Sequence, residues 1–190
     1  IRRKIDGGIL PKEDLPKETS ETLEKLLLQG KAPAKIENLE RMIIGFFRNA
    51  EAAELKEYYA VTEGAENRII AAAKTATSIE DFYEKVKTKR YTMATVRRMI
   101  IAPFLGIKKA EPTIPFLRVL AFNSRGAEIM KNVKKSSGLP LITNFTPELA
   151  ALSEFAEQIA LERRATDIFS LATPVIGSAF SDYTEKITMI

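Results

Sequence analysis

The residues best suited to chemistry in this sequence form a run of cations interrupted by one tyrosine. The cations of this run are Lys85, Lys87, Lys89, Arg90, Arg97 and Arg98. Tyr91 follows directly, and its ring offers a face on which a nucleic-acid base or ribose could stack. On a continuous helix Arg97 would lie nearly in line with Arg90, seven residues earlier. Such a ridge of guanidinium and ammonium groups suits phosphate binding, so the spacing indicates a nucleic-acid contact.

The charge of the chain is unevenly distributed along the sequence. Residues 85–135 hold 13 basic and 2 acidic residues, whereas residues 1–84 hold 13 and 16, and residues 136–190 hold 3 and 7. The whole chain therefore carries only +4. A basic island is expected of a surface that meets phosphates, because each neutralised phosphate releases condensed counterions. A solvated lysine-rich face that balances the acidic flanks is the alternative.

Several kinds of catalytic chemistry are excluded for these residues by composition. The chain contains neither histidine nor cysteine, so it offers no imidazole base, no thiolate nucleophile and no zinc site of the usual kind. It also carries no Walker sequence and no G-x-G-x-x-G motif. Carboxylate pairs such as Glu37 and Glu40 have the spacing of a solvated helix surface. We therefore predict no catalytic residue and no metal ligand in this chain.

Three further arginines are candidates for contact with RNA. Arg118 lies in an apolar run of strand length, where an unpaired buried charge would be very costly. It therefore needs either an ion pair, for example with Asp167 or Glu162, or a phosphate or base. Arg164 is open to the same two interpretations, a polar network or a ligand surface. Arg125 completes the predicted RNA-binding set.

A bundle of short helices is expected to position the cation run. Ser78 begins a capping-box pattern, Thr92 is a second N-cap, and Gly30 suits the left-handed residue after a helix. With the apolar stripe from Ile36 to Phe47, these signals predict an α bundle over residues 19–110. Helices are expected over residues 21–29, 36–47, 50–59, 67–73, 79–87 and 93–104.

The pattern changes to an α/β arrangement over residues 111–190. A strand over 114–122, a helix capped at Asn123 or Ser124 and a strand over 139–143 predict a βαβ unit with parallel strands. A long helix then opens at Thr146, and residues 182–190 could add an edge strand. The fold class is thus mostly α with a small α/β part. Residues 1–18 are expected to be an irregular connector, and the lack of an apolar run of ~20 residues and of cysteine favours a cytoplasmic protein.

Four segments, taken in order, resemble one protein family. They are Glu63–Ile70, Lys87–Thr92 with Arg98 and Met99, Pro115–Asn123, and Arg164–Leu171. Together they resemble the C-terminal half of the bacterial tRNA(Met) cytidine acetate ligases. Met93 and Ala94 replace an aromatic and hydroxyl pair common there, and Ala121 stands where glycine is common.

The resemblance implies a tRNA-modifying ligase. Members of that family activate acetate with ATP as acetyladenylate and acetylate the wobble cytidine of elongator tRNA(Met). Their nucleotidyltransferase domain carries an HxGH signature, and we expect that domain to precede Ile1 and to be missing here. Arg2 resembles the end of the family's S-x-S-x-I-R segment, which makes it a candidate for ATP phosphate binding. The expected role of this chain is tRNA binding, with ATP and acetate held elsewhere, so we expect it to be inactive alone.

Two other classes of protein remain open from the sequence. One is a helical anticodon-binding module of another tRNA enzyme. The other is a scaffold domain without an RNA role, which would be favoured if the basic residues proved dispersed and paired with carboxylates.

Overall fold

The computed structural model of the protein describes residues 1–109, 114–136, 138–146, 149 and 155–190. The chain divides into two compact units. Unit 1 comprises residues 1–109 and 168–178, and unit 2 comprises residues 110–167 and 179–190. The structure is mostly helical with a small part built from parallel strands, which confirms the predicted fold class. Among the described helices, none combines the length and apolar character needed to cross a membrane.

Unit 1 is built from α-helices joined by short turns. Its helices are α1 (Arg2–Asp6), α2 (Lys17–Leu28), α3 (Glu40–Arg48), α4 (Ala52–Leu55), α5 (Ala65–Thr75), α6 (Ile79–Val86) and α7 (Met93–Leu105). Short 3-10 turns at Lys12–Asp14 and Ile36–Leu39 precede α2 and α3. The expected irregular connector is therefore wrong in part, because residues 2–6 form a helical turn that hydrogen-bonds within itself.

The core of unit 1 lies between α3, α5, α6 and α7. Ile43 and Phe47 of α3 are fully buried, as their spacing in the sequence predicts. The Phe47 ring meets Phe82 of α6 edge to face, with centroids 5.4 Å apart. Because Phe82 and Ile69 are also fully buried, the apolar faces of these helices close over one another.

Side-chain caps set the ends of α6. The Ser78 hydroxyl accepts a hydrogen bond from the Asp81 amide at 3.0 Å, which confirms the predicted N-cap. Glu40 reaches across from α3, and its Oε2 accepts from the Ile79 amide at 2.6 Å. At the other end Arg68 donates to the carbonyl of Val86 at 2.8 Å. Orphan groups at both helix ends are thus satisfied by charged or polar side chains.

Replacing Ser78 by alanine should lower the free energy of unfolding by about 1 kcal/mol, because the Asp81 amide loses its capping acceptor. Urea denaturation monitored by circular dichroism measures the change. Ser136→Ala is the matched control, since its hydroxyl donates to the Asn132 carbonyl at an exposed helix end and caps no amide among the described residues. An equal loss in both variants would contradict the capping role.

One predicted helix is much shorter than expected. The sequence predicts a helix over 50–59, but α4 covers only Ala52–Leu55. After α4 the backbone pairs with the segment beyond α7: the Tyr59 amide donates to the Ile107 carbonyl, and Tyr58 forms an antiparallel bridge with Lys108. The helix ends early because these backbone groups take partners outside it.

Unit 2 combines short parallel strands with helices. Its strands are β1 (Leu117–Arg118), β2 (Ala121–Phe122), β3 (Leu141–Ile142) and β4 (Thr188–Met189), and its helices are α8 (Ser124–Ser136), α9 (Ala156–Leu171, with residues 168–171 in unit 1) and α10 (Ser181–Thr184). β1 pairs with β3 and β2 pairs with β4, both in parallel. The parallel pairing predicted for the βαβ unit is confirmed. The predicted start of the long helix at Thr146 runs into residues outside those described.

Two strand predictions need correction. The run 114–122 forms two strands instead of one, because the chain changes partner in its middle. Val119 donates to Ile142 beside β1, whereas the Leu120 carbonyl accepts from Thr188 beside β2. Leu120, at this change of partner, is 69% exposed. The expected edge strand over 182–190 is reduced to β4, with helix α10 before it.

A small aromatic core holds unit 2 together. Phe116, Phe145 and Phe155 are buried, and the Phe116 ring lies edge to face with the other two at 5.9 and 5.7 Å. Ile142 and Ile159 complete this cluster. This apolar cluster therefore packs beside the carboxyl ends of β1 and β3.

Candidate nucleic-acid interface

The loop between α6 and α7 and the first turns of α7 carry the candidate surface. We call Lys89, Arg90, Arg97 and Arg98 the basic ridge. Thr92 N-caps α7, since its hydroxyl accepts from the Thr95 amide at 3.3 Å, as predicted. Helix α7 therefore begins at Met93, so Arg90 lies in the loop and not on a continuous helix with Arg97. The loop and the helix together still place these cations within one short stretch of unit 1.

The cations of the basic ridge are exposed. Within the described part of the chain, no carboxylate oxygen lies within 4.0 Å of Lys89, Arg90, Arg97 or Arg98. Two neighbours behave differently. Lys85 pairs with Asp81 at 2.6 Å, and Lys87 pairs with Glu84 at 3.6 Å. Lys87, which the sequence places in the RNA-binding set, thus has a partner in a solvated ion pair of small energetic value.

Tyr91 is a fixed aromatic group within this surface. Its hydroxyl shares a hydrogen bond with the Thr62 hydroxyl at 3.0 Å, and its half-buried ring packs against the core of unit 1. The Arg90 guanidinium lies 5.6 Å from the centroid of the Tyr91 ring. Because the hydroxyl bond and the core contact already hold the ring, the protein would lose little conformational entropy when a base or ribose stacked on it.

Arg97 lies over a second tyrosine, which belongs to the core. Its guanidinium is 5.7 Å from the ring centroid of Tyr83, a residue only 4% exposed. Burial, and to a lesser degree the nearby Glu80 carboxylate, raises the pKa of Tyr83 to about 12, although the positive charge of Arg97 acts in the opposite direction. Arg97 of α7 therefore forms a cation–π contact with the ring of Tyr83 in α6.

We expect Tyr83 to ionise near pH 12 in the folded protein, well above the ~10 of an unfolded tyrosine. Between these two values the unfolded chain loses the proton first, so the stability of unit 1 should fall as the pH rises. An ultraviolet absorbance titration of the protein against its Tyr83→Phe variant measures the pKa. A difference curve with a midpoint at pH 10 would contradict the burial.

The other predicted RNA-binding arginines lie in unit 2. Arg118 donates to Glu162 at 3.0 Å and to Asp182 at 2.5 Å, and its guanidinium lies 4.2 Å from the Phe145 ring centroid. The predicted ion pair with Glu162 is present. Burial alone would lower the pKa of Arg118, but the hydrogen bonds to these carboxylates outweigh it and raise the pKa. The predicted alternative partner Asp167 instead accepts from the Phe180 amide.

Arg125, Arg164 and Arg2 are all exposed. Arg125 lies in the first turn of α8, and Arg164 lies on α9. These two belong to unit 2 and the basic ridge belongs to unit 1, so the structure does not bring the whole predicted set together within one unit. Arg2 donates to the Ala34 carbonyl at 2.9 Å and to Asp6 at 3.2 Å. A phosphate at Arg2 would lie close to the negative charge of that carboxylate.

A polar cavity in unit 2 escaped the sequence analysis. It has a volume of about 230 Å³ and is lined among others by Arg118, Thr143, Asn144, Asp182, Glu185 and Lys186. The sequence signal of this cavity is the pair of acidic residues Asp182 and Glu185, which fall within the edge strand expected over 182–190. Among the described residues, this cavity included, no group of three carboxylates could hold a metal ion.

Comparison with known proteins first defines the class of this chain. Residues 1–182 match the model of the HIGH nucleotidyl transferase family. The chain belongs to this family. Curated proteins and solved structures then show which members of the family this chain is similar to.

Curated relatives carry the name tRNA(Met) cytidine acetate ligase. The protein of Thermosipho melanesiensis is 32% identical over 136 residues, which are 68% of this chain and 32% of that protein. The protein of Thermotoga maritima is 28% identical over 180 residues, which are 87% of this chain and 43% of that protein. The chain thus spans less than half the length of these relatives, and its homology to them is clear.

Solved structures show the same fold. The crystal structure of Thermotoga maritima TmcAL without ligand superposes with a TM-score of 0.90 at 24% identity, covering 100% of this chain and 49% of that chain. A second crystal form of that protein, bound with alpha-thio ATP, superposes with a TM-score of 0.88.

The family match corrects part of the sequence analysis. Because the nucleotidyltransferase family model extends over residues 1–182, the expectation that this chain lies outside the nucleotidyltransferase part of the relatives is wrong. Two further expectations depended on that one: that this chain is inactive alone, and that ATP and acetate are held elsewhere. Both lose their support. The error arose because the chain has no histidine, so the short histidine signature could not be found. A family model reads the pattern of the whole segment, of which such a signature is a small part.

Proposed function

We propose that this chain contributes the tRNA-binding surface of an ATP-dependent tRNA(Met) cytidine acetate ligase. The observation that carries the proposal is the exposed basic ridge, which has no carboxylate partner in the described part of the chain, beside the fixed ring of Tyr91. The names of the curated relatives supply the class of substrate. The scaffold alternative requires dispersed cations paired with carboxylates, and the ridge has the opposite arrangement.

In the proposed reaction, acetate attacks the α-phosphate of ATP to give acetyladenylate and pyrophosphate. The N4 amine of the wobble cytidine then attacks the acetyl carbon and releases AMP. The basic ridge would hold phosphates of the anticodon stem, so that the wobble base leaves its stack and reaches the activated acetyl group. Arg125 and Arg164 would add phosphate contacts, and Arg2 is proposed for an ATP phosphate. Such a protein would act in the cytoplasm.

Lysine and arginine contacts to phosphate give affinity and register but carry no sequence information. The four cations of the ridge would neutralise about four phosphates, so the logarithm of the binding constant should fall with the logarithm of salt with a slope of about −3 to −4. Between 50 and 200 mM salt, this slope corresponds to about a hundredfold loss of affinity.

A salt series with fluorescently labelled elongator tRNA(Met) tests the proposed function. Anisotropy titrations should give a steep negative slope and tighter binding to this tRNA than to a non-cognate tRNA. Absence of binding at 50 mM salt, or a slope near zero, would overturn the proposal. Equal affinity for all tRNAs would leave a phosphate-binding surface but contradict recognition of tRNA(Met).

A further inference from the structure

The polar cavity of unit 2 lies where parallel strands end. Arg118 is the last residue of β1, and Thr143 and Asn144 follow directly after β3. Since β1 and β3 are parallel, their carboxyl ends meet at one edge, which is where open α/β sheets bind ligands. The segment between α10 and β4 closes the other side with Glu185 and Lys186.

The charges around the cavity favour a neutral hydrogen-bond donor over an anion. Arg118 and Lys186 supply two positive charges to the lining, and Asp182 and Glu185 supply two negative charges. The charge of Arg118 is already shared between Asp182 and Glu162. A phosphate placed here would find no net positive charge and would be repelled by the carboxylates of Asp182 and Glu185, so the cavity differs in kind from the basic ridge. A neutral group with N–H donors would meet carboxylate acceptors without that repulsion.

One acceptor in the cavity wall is unsatisfied. The Asp182 side chain is only 8% exposed, and its Oδ1 accepts from Arg118. Its Oδ2 is buried and has no hydrogen-bond partner among the residues that the structure describes. A buried carboxylate oxygen without a donor is costly, so a donor from outside the chain would stabilise it.

The size of the cavity limits its occupant. About 230 Å³ is the volume of seven or eight waters at ~30 Å³ each, which suits one planar heterocycle. It is small beside the ~300–1,000 Å³ of drug-sized ligand sites. Asn144 lines the cavity with both a donor and an acceptor, the combination that pairs with a base edge.

We propose that this cavity holds one unstacked nucleobase of the bound RNA, a base with an exocyclic amine such as cytosine or adenine. The amine donates to the carboxylates of Asp182 and Glu185, and the Asn144 amide pairs with the neighbouring ring nitrogen. The inference rests on the proposed tRNA binding and deepens it. The ridge supplies affinity, and the cavity supplies the base-edge contact that phosphate binding cannot give.

Modification interference tests the base contact. Elongator tRNA(Met) is treated sparingly with nitrous acid, which converts exocyclic amines to carbonyls, and the bound and free fractions are separated and sequenced. At least one unpaired cytosine or adenine should be depleted from the bound fraction when its amine is lost. That depletion should disappear with the Asn144→Ala and Glu185→Gln variants, whose side chains are exposed.

The affinity of both variants should fall about tenfold with an unchanged salt slope, since no phosphate contact is removed. Asn132→Ala, at an exposed position of α8, is the matched control and should retain wild-type binding. Depletion that persists in the Asn144→Ala protein, or a shallower salt slope, overturns the base contact. Tight binding without any depletion overturns the base contact alone, whereas no binding by the wild type overturns the proposed function and this inference together. Displacement of the tRNA base by spermidine would instead assign the cavity to a polyamine.

Discussion

Neutralising the basic ridge is expected to lower the affinity for tRNA about a hundredfold at 100 mM salt. The variant replaces Lys89, Arg90, Arg97 and Arg98 by glutamine. None of these side chains has a carboxylate partner within the described residues, so their removal leaves no buried charge behind. Each lost phosphate contact should also reduce the salt slope by about one. Anisotropy titrations at several salt concentrations measure both quantities.

A charge-matched control separates the ridge from the overall charge. Glutamine at Lys12, Lys17, Lys25 and Lys31 removes the same four charges from exposed positions near the start of unit 1. This variant should keep most of the affinity and a slope close to that of the wild type. If the two variants lost affinity equally, the binding would depend on net charge and not on the ridge.

Replacing Arg118 by methionine is expected to lower the free energy of unfolding of unit 2 by about 3 kcal/mol. The substitution removes the guanidinium from two carboxylates and leaves Asp182 buried without a partner. The contact with the Phe145 ring is lost as well. Hydrogen exchange of the backbone amides near β1 and β3 measures the loss locally, in a way that melting of the whole chain does not.

The Arg118→Met, Asp182→Leu double variant distinguishes a lost pair from poor packing. Removing both charges eliminates the buried unpaired carboxylate, so we expect it to recover a large part of the lost stability. A double variant as unstable as Arg118→Met would mean that the guanidinium acts by filling space over Phe145. In neither case should the salt slope of tRNA binding change.

The helices of unit 1 could be predicted because their signals are local. Ser78 and Thr92 cap α6 and α7 as their sequence neighbours suggest, and Gly30 adopts a φ of 66° just after α2. The local signals fail where backbone from a distant part of the sequence forms hydrogen bonds with the segment. The helix expected to reach Tyr59 ends at Leu55 because residues beyond α7 take its hydrogen bonds.

The candidate site also contains one feature that depends on a local segment and one that depends on distant segments. The basic ridge follows from the charges of one short segment, so the sequence was sufficient to find it. The Arg118 partner Asp182 lies 64 residues away, and the cavity forms only when three separate segments meet. The single strand expected over 114–122 could not predict that meeting, because the pairing partner of this run changes from β3 to β4 at Leu120.

The most direct test of the account is ultraviolet cross-linking of the protein to elongator tRNA(Met), with the linked peptides identified by mass spectrometry. The account predicts that the strongest cross-links fall between Lys87 and Arg98, with Tyr91 among the linked residues. It also predicts that the ridge variant loses these cross-links while the charge-matched control keeps them. Cross-links confined to α2 or α8, with none between α6 and α7, would contradict the claim that this basic ridge is the RNA-binding surface.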